Sequence, residues 1–264
     1  MKNFIHALLL FLLVTGCTNE DQNGGHTVTV NLTVSDDVKD SFQEDGRFYV
    51  FLNQNLDVEP MDQIWPYPGS MSHIFAINRT GLNPDGIMAL SPNEDWTRTT
   101  DWTFASVPEG EYNIQVLWDQ DKSESRINAP GNLYSEKQKI TVTNTTETEI
   151  SIDRMIEERE LVDSDLLHLV DFQSDTLSAW WDKPVHLKAS VLLPENYNPS
   201  ESYPIRYNVS GYGGRYTRVN NLINSSDFFD WWQSDEAPRV INVFLDGEGP
   251  FGDSYQMDSE NSGP

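Results

Sequence analysis

Three glycines in four residues, Gly211, Gly213 and Gly214, follow an apolar-rich stretch at 205–209 in the sequence YPIRYNVSGYGG. Glycine lacks a Cβ, so such a loop can turn sharply and bring backbone N–H groups against a ligand. Donors of that kind hold an anion: a phosphate, or the oxyanion of an acyl-transfer intermediate. Other residues capable of chemistry are scattered. All five histidines, His6, His26, His73, His168 and His186, precede the loop. His168 and His186 fall in strand-like stretches and read as ordinary sheet residues rather than as catalytic bases. Asp119, Gln120, Asp121, Lys122 and Ser123 begin like a calcium loop. The sixth position is Glu124 instead of glycine, and Pro130 stands where a bidentate Glu belongs, so an EF-hand is excluded. No metal and no cofactor is expected.

Cys17 is the single cysteine, which rules out an intramolecular disulfide. Before it come Lys2, an apolar run at 5–14 broken only by His6, and Thr15-Gly16. That is a charged start, a core too short to span a bilayer, and a small residue ahead of a cleavage site. Val14-Thr15-Gly16-Cys17 resembles the bacterial lipobox, in which the cysteine is lipidated and becomes the mature N-terminus. The resemblance implies a protein anchored to a membrane of the bacterial cell envelope, on its periplasmic or surface side, and not spanning it. The acidic stretch TNED at 18–21 resembles the surface-export signals of some Gram-negative lipoproteins. With 42 acidic residues against 17 basic ones the net charge is −25, which argues against nucleic acid and anionic lipid surfaces as partners.

The elements that must position these residues change character along the chain. Residues 18–25 are polar, end in two glycines, and read as a tether. From His26 to residue 153, period-two alternation recurs at 26–34, 46–53, 73–78, 87–90, 102–107, 112–118, 137–142 and 147–152, with turn residues between. Seven or eight short strands without a convincing helix predict an immunoglobulin-like β-sandwich. Trp65, Tyr67, Trp96, Trp102 and Trp118 in this region either fill its core or form a sugar-stacking platform. Residues 154–164 read as a linker. Beyond it, strands are expected at 166–172, 185–193 and 203–210, with 178–184 as the connection between the first two. A partly helical stretch at 221–233 and a continuous apolar strand at 240–245 follow. Strand, strand, strand, loop, helix, strand is how an α/β domain begins.

The stretches TLSAWW at 176–181, LKASVLLPENY at 187–197, YPIRYNVSGYGG, VINVFLDG at 240–247 and DSENSGP at 258–264 together resemble the N-terminal half of bacterial α/β-hydrolases of the putative esterase group, esterase D and enterochelin-esterase-like. The region before them, including APGNLYS at 129–135, resembles the accessory β domain found ahead of such esterases. The resemblance implies that residues 165–264 supply the first four strands of a hydrolase sheet. It also implies that the backbone N–H of Tyr212 or Gly213 is an oxyanion donor and that Asp246, Asp258, Ser259 and Asn261 belong to loops bordering the cleft. Ser210 stands where a histidine is commoner. The family's Gly-x-Ser-x-Gly nucleophile turn is absent from the 264 residues, and no histidine follows the loop. The expectation is therefore a chain cut short before its nucleophile, an N-terminal portion inactive by itself, whose parent hydrolyses a carboxylic ester. Phe251-Gly252-Asp253-Ser254-Tyr255 contains the Gly-Asp-Ser core of GDSL hydrolases, but no strand directly precedes it and no Asp-x-x-His follows. The alternative function is a non-catalytic surface lipoprotein that binds glycan or a protein partner through its sandwich.

Overall fold

The computed structural model describes residues 25–67, 69–122, 124, 126–211, 213–249, 252–253 and 260. Cys17 and the signal-like segment lie outside the described residues. Most regular structure is β-sheet, with few and short helices. The N-terminal strands are β1 (Thr27–Val34), β2 (Gly46–Asn53), β3 (His73–Arg79), β4 (Met88–Leu90), β5 (Thr97–Arg98), β6 (Gly110–Asp119), β7 (Leu133–Tyr134), β8 (Gln138–Val142), β9 (Thr145–Ile152) and β10 (Arg154–Met155). A four-residue helix, α1 (Asp36–Lys39), follows β1 and is capped by the Ser35 side chain.

Two sheets form from these strands, one in the order β4-β1-β9 and one running β10-β7-β6-β2-β3-β5, with β8 also paired to β6. In β1, Val28, Val30, Leu32 and Val34 are buried while their neighbours are not, the alternation of a strand with one wet face. These residues share one core with Phe48, Val50 and Leu52 of β2, Ile114, Val116 and Trp118 of β6, and Ile150 and Ile152 of β9. That shared core holds the two sheets against each other. Trp118 is fully buried, stacks on Phe42, and donates its indole N–H to the Gln43 carbonyl at 3.1 Å.

The expected strand at 102–107 does not form; only Val107 makes a bridge, to His26. Its apolar residues are buried by ring packing, with Phe104 4.1 Å from Phe75 and 5.0 Å from Trp96 between centroids. Local hydroxyls take the backbone donors instead: Ser106 Oγ accepts from Thr103 N, and Thr103 Oγ1 from Ala105 N. Side-chain bonds of this kind compete with a sheet ladder.

A third, C-terminal sheet contains β11 (Leu167–Gln173), β12 (His186–Leu192), β13 (Ile205–Asn208) and β14 (Ile241–Leu245) in the order β11-β12-β14-β13. β12 is antiparallel to both neighbours, whereas β13 and β14 are parallel. Between β11 and β12 lies a helix, α2 (Asp175–Trp181), where a plain connection was expected. Ser174 caps its start by accepting from Leu177 N, and Asp182 ends it in the left-handed region at φ 51°. Two further short helices, α3 (Asn220–Ile223) and α4 (Ser226–Trp232), occupy the stretch expected to be partly helical.

The two faces of this sheet differ. Leu167, Leu192 and Phe244 pack with Val219 and Trp232 in a small core, and Trp232 donates to the Leu193 carbonyl at 2.9 Å. On the other face Val170, Phe172, Leu187, Ile205 and Tyr207 are exposed, Tyr207 by 63%. Among the described residues β13 is an edge strand, paired only with β14. After β14, β15 (Glu248–Gly249) and β16 (Gly252–Asp253) form a small ribbon. Among the described residues no helix is long and apolar enough to cross a membrane.

Candidate functional site

The glycine loop emerges at the carboxyl end of β13, and the turn at Asp246 and Gly247 emerges at the carboxyl end of its parallel neighbour β14. Carboxyl ends of adjacent parallel strands are where open α/β sheets bind ligands. The two loops touch: Gly247 N–H donates to the Gly214 carbonyl at 3.2 Å. Within the glycine loop, Gly214 N–H donates to the Gly211 carbonyl at 3.1 Å, and Gly213 holds φ at +75°. A side chain rarely adopts that conformation, which is why glycine is required there. A Cβ on Gly214 would sit 2.1 Å from Ser210 Cβ, so this glycine is required by space instead. Ser210 Oγ is buried with no hydrogen-bond partner among the described residues.

Of the residues expected to matter, Gly213 and Asp246 are brought together here. Tyr212, Asp258, Ser259 and Asn261 lie outside the described residues, as does Ser254 of the Gly-Asp-Ser sequence. Asp246 braces the loops. Its Oδ1 accepts from Glu248 N at 2.8 Å, its Oδ2 accepts from Tyr216 N at 3.2 Å, and its own N–H donates to the Lys188 carbonyl. His186 Nδ1 is 2.7 Å from Asp171 Oδ1 on the exposed β11–β12 pair. Neither His186 nor His168 forms a hydrogen bond to the glycine loop among the described residues.

Sequence reasoning missed the arginines that fix this site. Arg218 spans the two strand ends, donating to the Leu245 carbonyl at 2.7 Å and to the Asn208 carbonyl, with its guanidinium 5.3 Å from the Phe244 ring centre. Burial there pulls the Arg218 pKa down. Arg215 is only 4% exposed and donates from Nε and Nη2 to Glu124 Oε2 at 2.9 and 2.6 Å. Arg159 pairs with the other oxygen of Glu124, and Asp246 Oδ1 lies 4.0 Å from Arg215 Nε. Two guanidinium groups, that of Arg159 partly exposed, thus face two carboxylates in a row, and pairing of this kind is the condition under which buried charges are tolerable. Arg126 donates to the Gly213 carbonyl at 2.6 Å. The available signal was scarcity: in a chain with 17 basic residues, Arg215 and Arg218 stand directly after the glycine loop.

A concavity of about 800 Å³, away from the glycine loop, is lined by Glu59, Met61, Asp62, Tyr134, Lys137 and Arg154. The connection between β2 and β3 that carries Met61 also carries Trp65 and Tyr67, each 64% exposed, with ring centroids 6.5 Å apart. Trp96 and Trp118 are buried and Trp102 packs against the core, so the five-aromatic platform reduces to this pair.

Comparison with known proteins adds little. No family model matches the chain, and no curated protein does. One solved structure, described as the crystal structure of a thermostable esterase, is similar over 83% of this chain at 11% identity and a TM-score of 0.22. The chain spans 56% of that esterase's length. A similarity this slight defines neither the fold nor the activity.

Proposed function

We propose that this chain is the oxyanion-side portion of a serine-hydrolase-type esterase, an immunoglobulin-like sandwich at 26–153 joined by a linker at 154–164 to the opening half of an α/β-hydrolase domain at 165–264. The observation that carries the reading is the left-handed glycine loop at the carboxyl end of β13, locked to the turn after the parallel β14. The order β11-β12-β14-β13 with β12 alone reversed supports it, since that is an α/β sheet still open at β13. The apolar face bearing Phe172, Leu187 and Tyr207 is the surface further helices of such a domain would cover. The Tyr112 hydroxyl, which donates to the Pro108 carbonyl four residues upstream, supports an immunoglobulin-like sandwich.

In this reading the backbone N–H of Tyr212 or Gly213 stabilises the oxyanion formed when a serine attacks a carboxylic ester. The serine, acid and histidine belong to a further part of the parent polypeptide, and no cofactor takes part. Lipidated Cys17 anchors the protein to the cell envelope; Cys17→Ser would then move it from the membrane to the soluble fraction. The deciding experiment is to read the parent coding sequence and assay both forms on p-nitrophenyl acetate. Hydrolysis by the parent and none by residues 18–264 alone is expected. A parent without a serine on a strand-to-helix turn ends the enzymatic reading.

A second reading, a glycan-binding surface lipoprotein, is favoured by one observation, the exposed Trp65–Tyr67 pair. Planar exposed rings suit the apolar faces of sugars. Binding of residues 26–153 to a polysaccharide array, lost in Trp65→Ala, is expected under this reading; equal binding by wild type and variant removes it.

A further inference from the structure

The loop of glycines at 211–214 has a physical problem that its own sheet does not solve. Three glycines in four residues give the backbone the greatest conformational freedom available to a chain. A donor for a transition-state oxyanion, in contrast, must be held to within about half an ångström to be effective. Some of the restraint is local: the Gly214 N–H to the Gly211 carbonyl, the Gly247 N–H to the Gly214 carbonyl, and Arg218 across the strand ends. The remainder comes from the connection between β6 and β7, far upstream in sequence.

From that connection Arg126 reaches across 87 residues of chain to the Gly213 carbonyl at 2.6 Å, and its guanidinium Cζ, Nε and Nη1 lie 3.5 Å from where a Gly213 side chain would begin. Two positions earlier, Glu124 reaches across 91 residues to Arg215, the first residue after the glycines, and is also held by Arg159. A carbonyl and the following N–H share one rigid plane. Holding the Gly213 carbonyl therefore holds the 213–214 peptide, and narrows the two dihedrals of Gly213 that relate this plane to the Gly213 N–H. Tyr216 adds a third tie, its hydroxyl donating to the Arg159 carbonyl.

We propose that the β6–β7 connection is a positioning element for the glycine loop, with Arg126 as the pin and Glu124 as its anchor through Arg215. The N-terminal sheets are then part of the esterase site and not a detachable appendage. The consequence for catalysis rests on the esterase reading above; the pin itself does not. Arg126 and Glu124 touch no reacting atom and are positioning residues.

Two measurements separate these levels. In residues 18–264, hydrogen exchange at Gly214, Tyr216 and Gly247 is read for wild type, Arg126→Gln and Arg126→Lys. The Gln variant is expected to exchange at least about tenfold faster at these three amides, with β2 and β6 unchanged and Lys restoring part of the protection. Unchanged exchange in Arg126→Gln overturns the pin. Because Glu124 is buried and Glu124→Gln risks misfolding, Arg126, which is only partly buried, is the primary variant. In the parent protein, Arg126→Gln is expected to lower kcat on p-nitrophenyl acetate about tenfold with KM within about twofold, and Arg126→Lys to recover much of it. A raised KM at constant kcat, or no change in either, overturns the positioning role. A wild-type parent that cleaves no ester sinks the esterase reading, while the exchange result still decides the pin.

Discussion

At Gly213 a side chain is excluded by backbone conformation, and at Gly214 by lack of room. An added Cβ at Gly213 would make only ordinary contact with Arg126 at 3.5 Å, but φ stands at +75°. At Gly214 the same atom would overlap Ser210 Cβ, which sits close to the backbone and cannot swing away. Gly213→Ala is therefore expected to cost about 1–2 kcal/mol, the left-handed penalty, and Gly214→Ala more, through displacement of Ser210. Urea midpoints of the two variants check the ranking; equal midpoints would contradict it. Asp119, at the end of β6, offers a pH test. Burial raises its carboxyl to about 6, against an ordinary value of 3.8, while the Asn132 amide at 2.7 Å pulls the other way and Asp121 adds repulsion. A carboxyl raised in the folded state contributes stability that is fully present below 3.8 and is lost as pH rises through about 6. Asp119→Asn keeps an acceptor for Asn132 and cannot ionise. It should match wild type in melting temperature at pH 4 and exceed it at pH 7.5, and a constant difference across that range would refute the assignment.

Among the elements, α4 is the one that ties the C-terminal sheet to a core. It has seven residues, too few for a helix to persist by propensity, and only Trp232 is buried. That indole fills the small core beside Val219 and Phe244 and caps the Leu193 carbonyl. Trp232→Ala is expected to cost about 3–5 kcal/mol. Because the small core holds few other buried side chains, the loss should be local. Hydrogen exchange would accelerate in β13 and β14 while β2, paired on both sides by β3 and β6, stays slow. Uniform acceleration across both sheets would mean that the two cores unfold as one unit. The same scale explains the reading errors. The stretch 102–107 looks like a strand because Trp102 and Phe104 flank Thr103 and Val107 closes the run, yet the Thr103 and Ser106 hydroxyls take up the donors a ladder needs. The helix α2 was hidden because none of its residues is buried, leaving no apolar stripe to read.

For the molecule as a whole, the unequal treatment of the two faces of the C-terminal sheet is the largest departure from a finished globular surface. Single exposed apolar residues are ordinary, but Val170, Phe172, Leu187, Ile205 and Tyr207 lie on one face of one sheet beside an open edge. Residues 18–264 should bind the dye ANS, and Phe172→Ser with Tyr207→Ser should reduce the fluorescence severalfold. No fluorescence above that of a compact control protein would show the face to be covered. A surplus of 25 negative charges works against association through that face, since copies of the chain repel one another.

The sequence by itself determined the strands, because each amphipathic stretch writes its own burial into a period of two: β2 was placed at 46–53 without error, and β1, β6, β9, β12 and β14 to within a residue or two at either end. It also singled out the glycine loop, since glycines crowded after an apolar strand have few structural uses. Tertiary structure alone decided what holds that loop. Arg126 lies 87 residues from Gly213, Glu124 lies 91 from Arg215 and Arg159 lies 57 from Tyr216, in stretches with no hydrophobic periodicity. Buried charge is recognisable only when its partner is known, and the partner is chosen by packing, not by spacing.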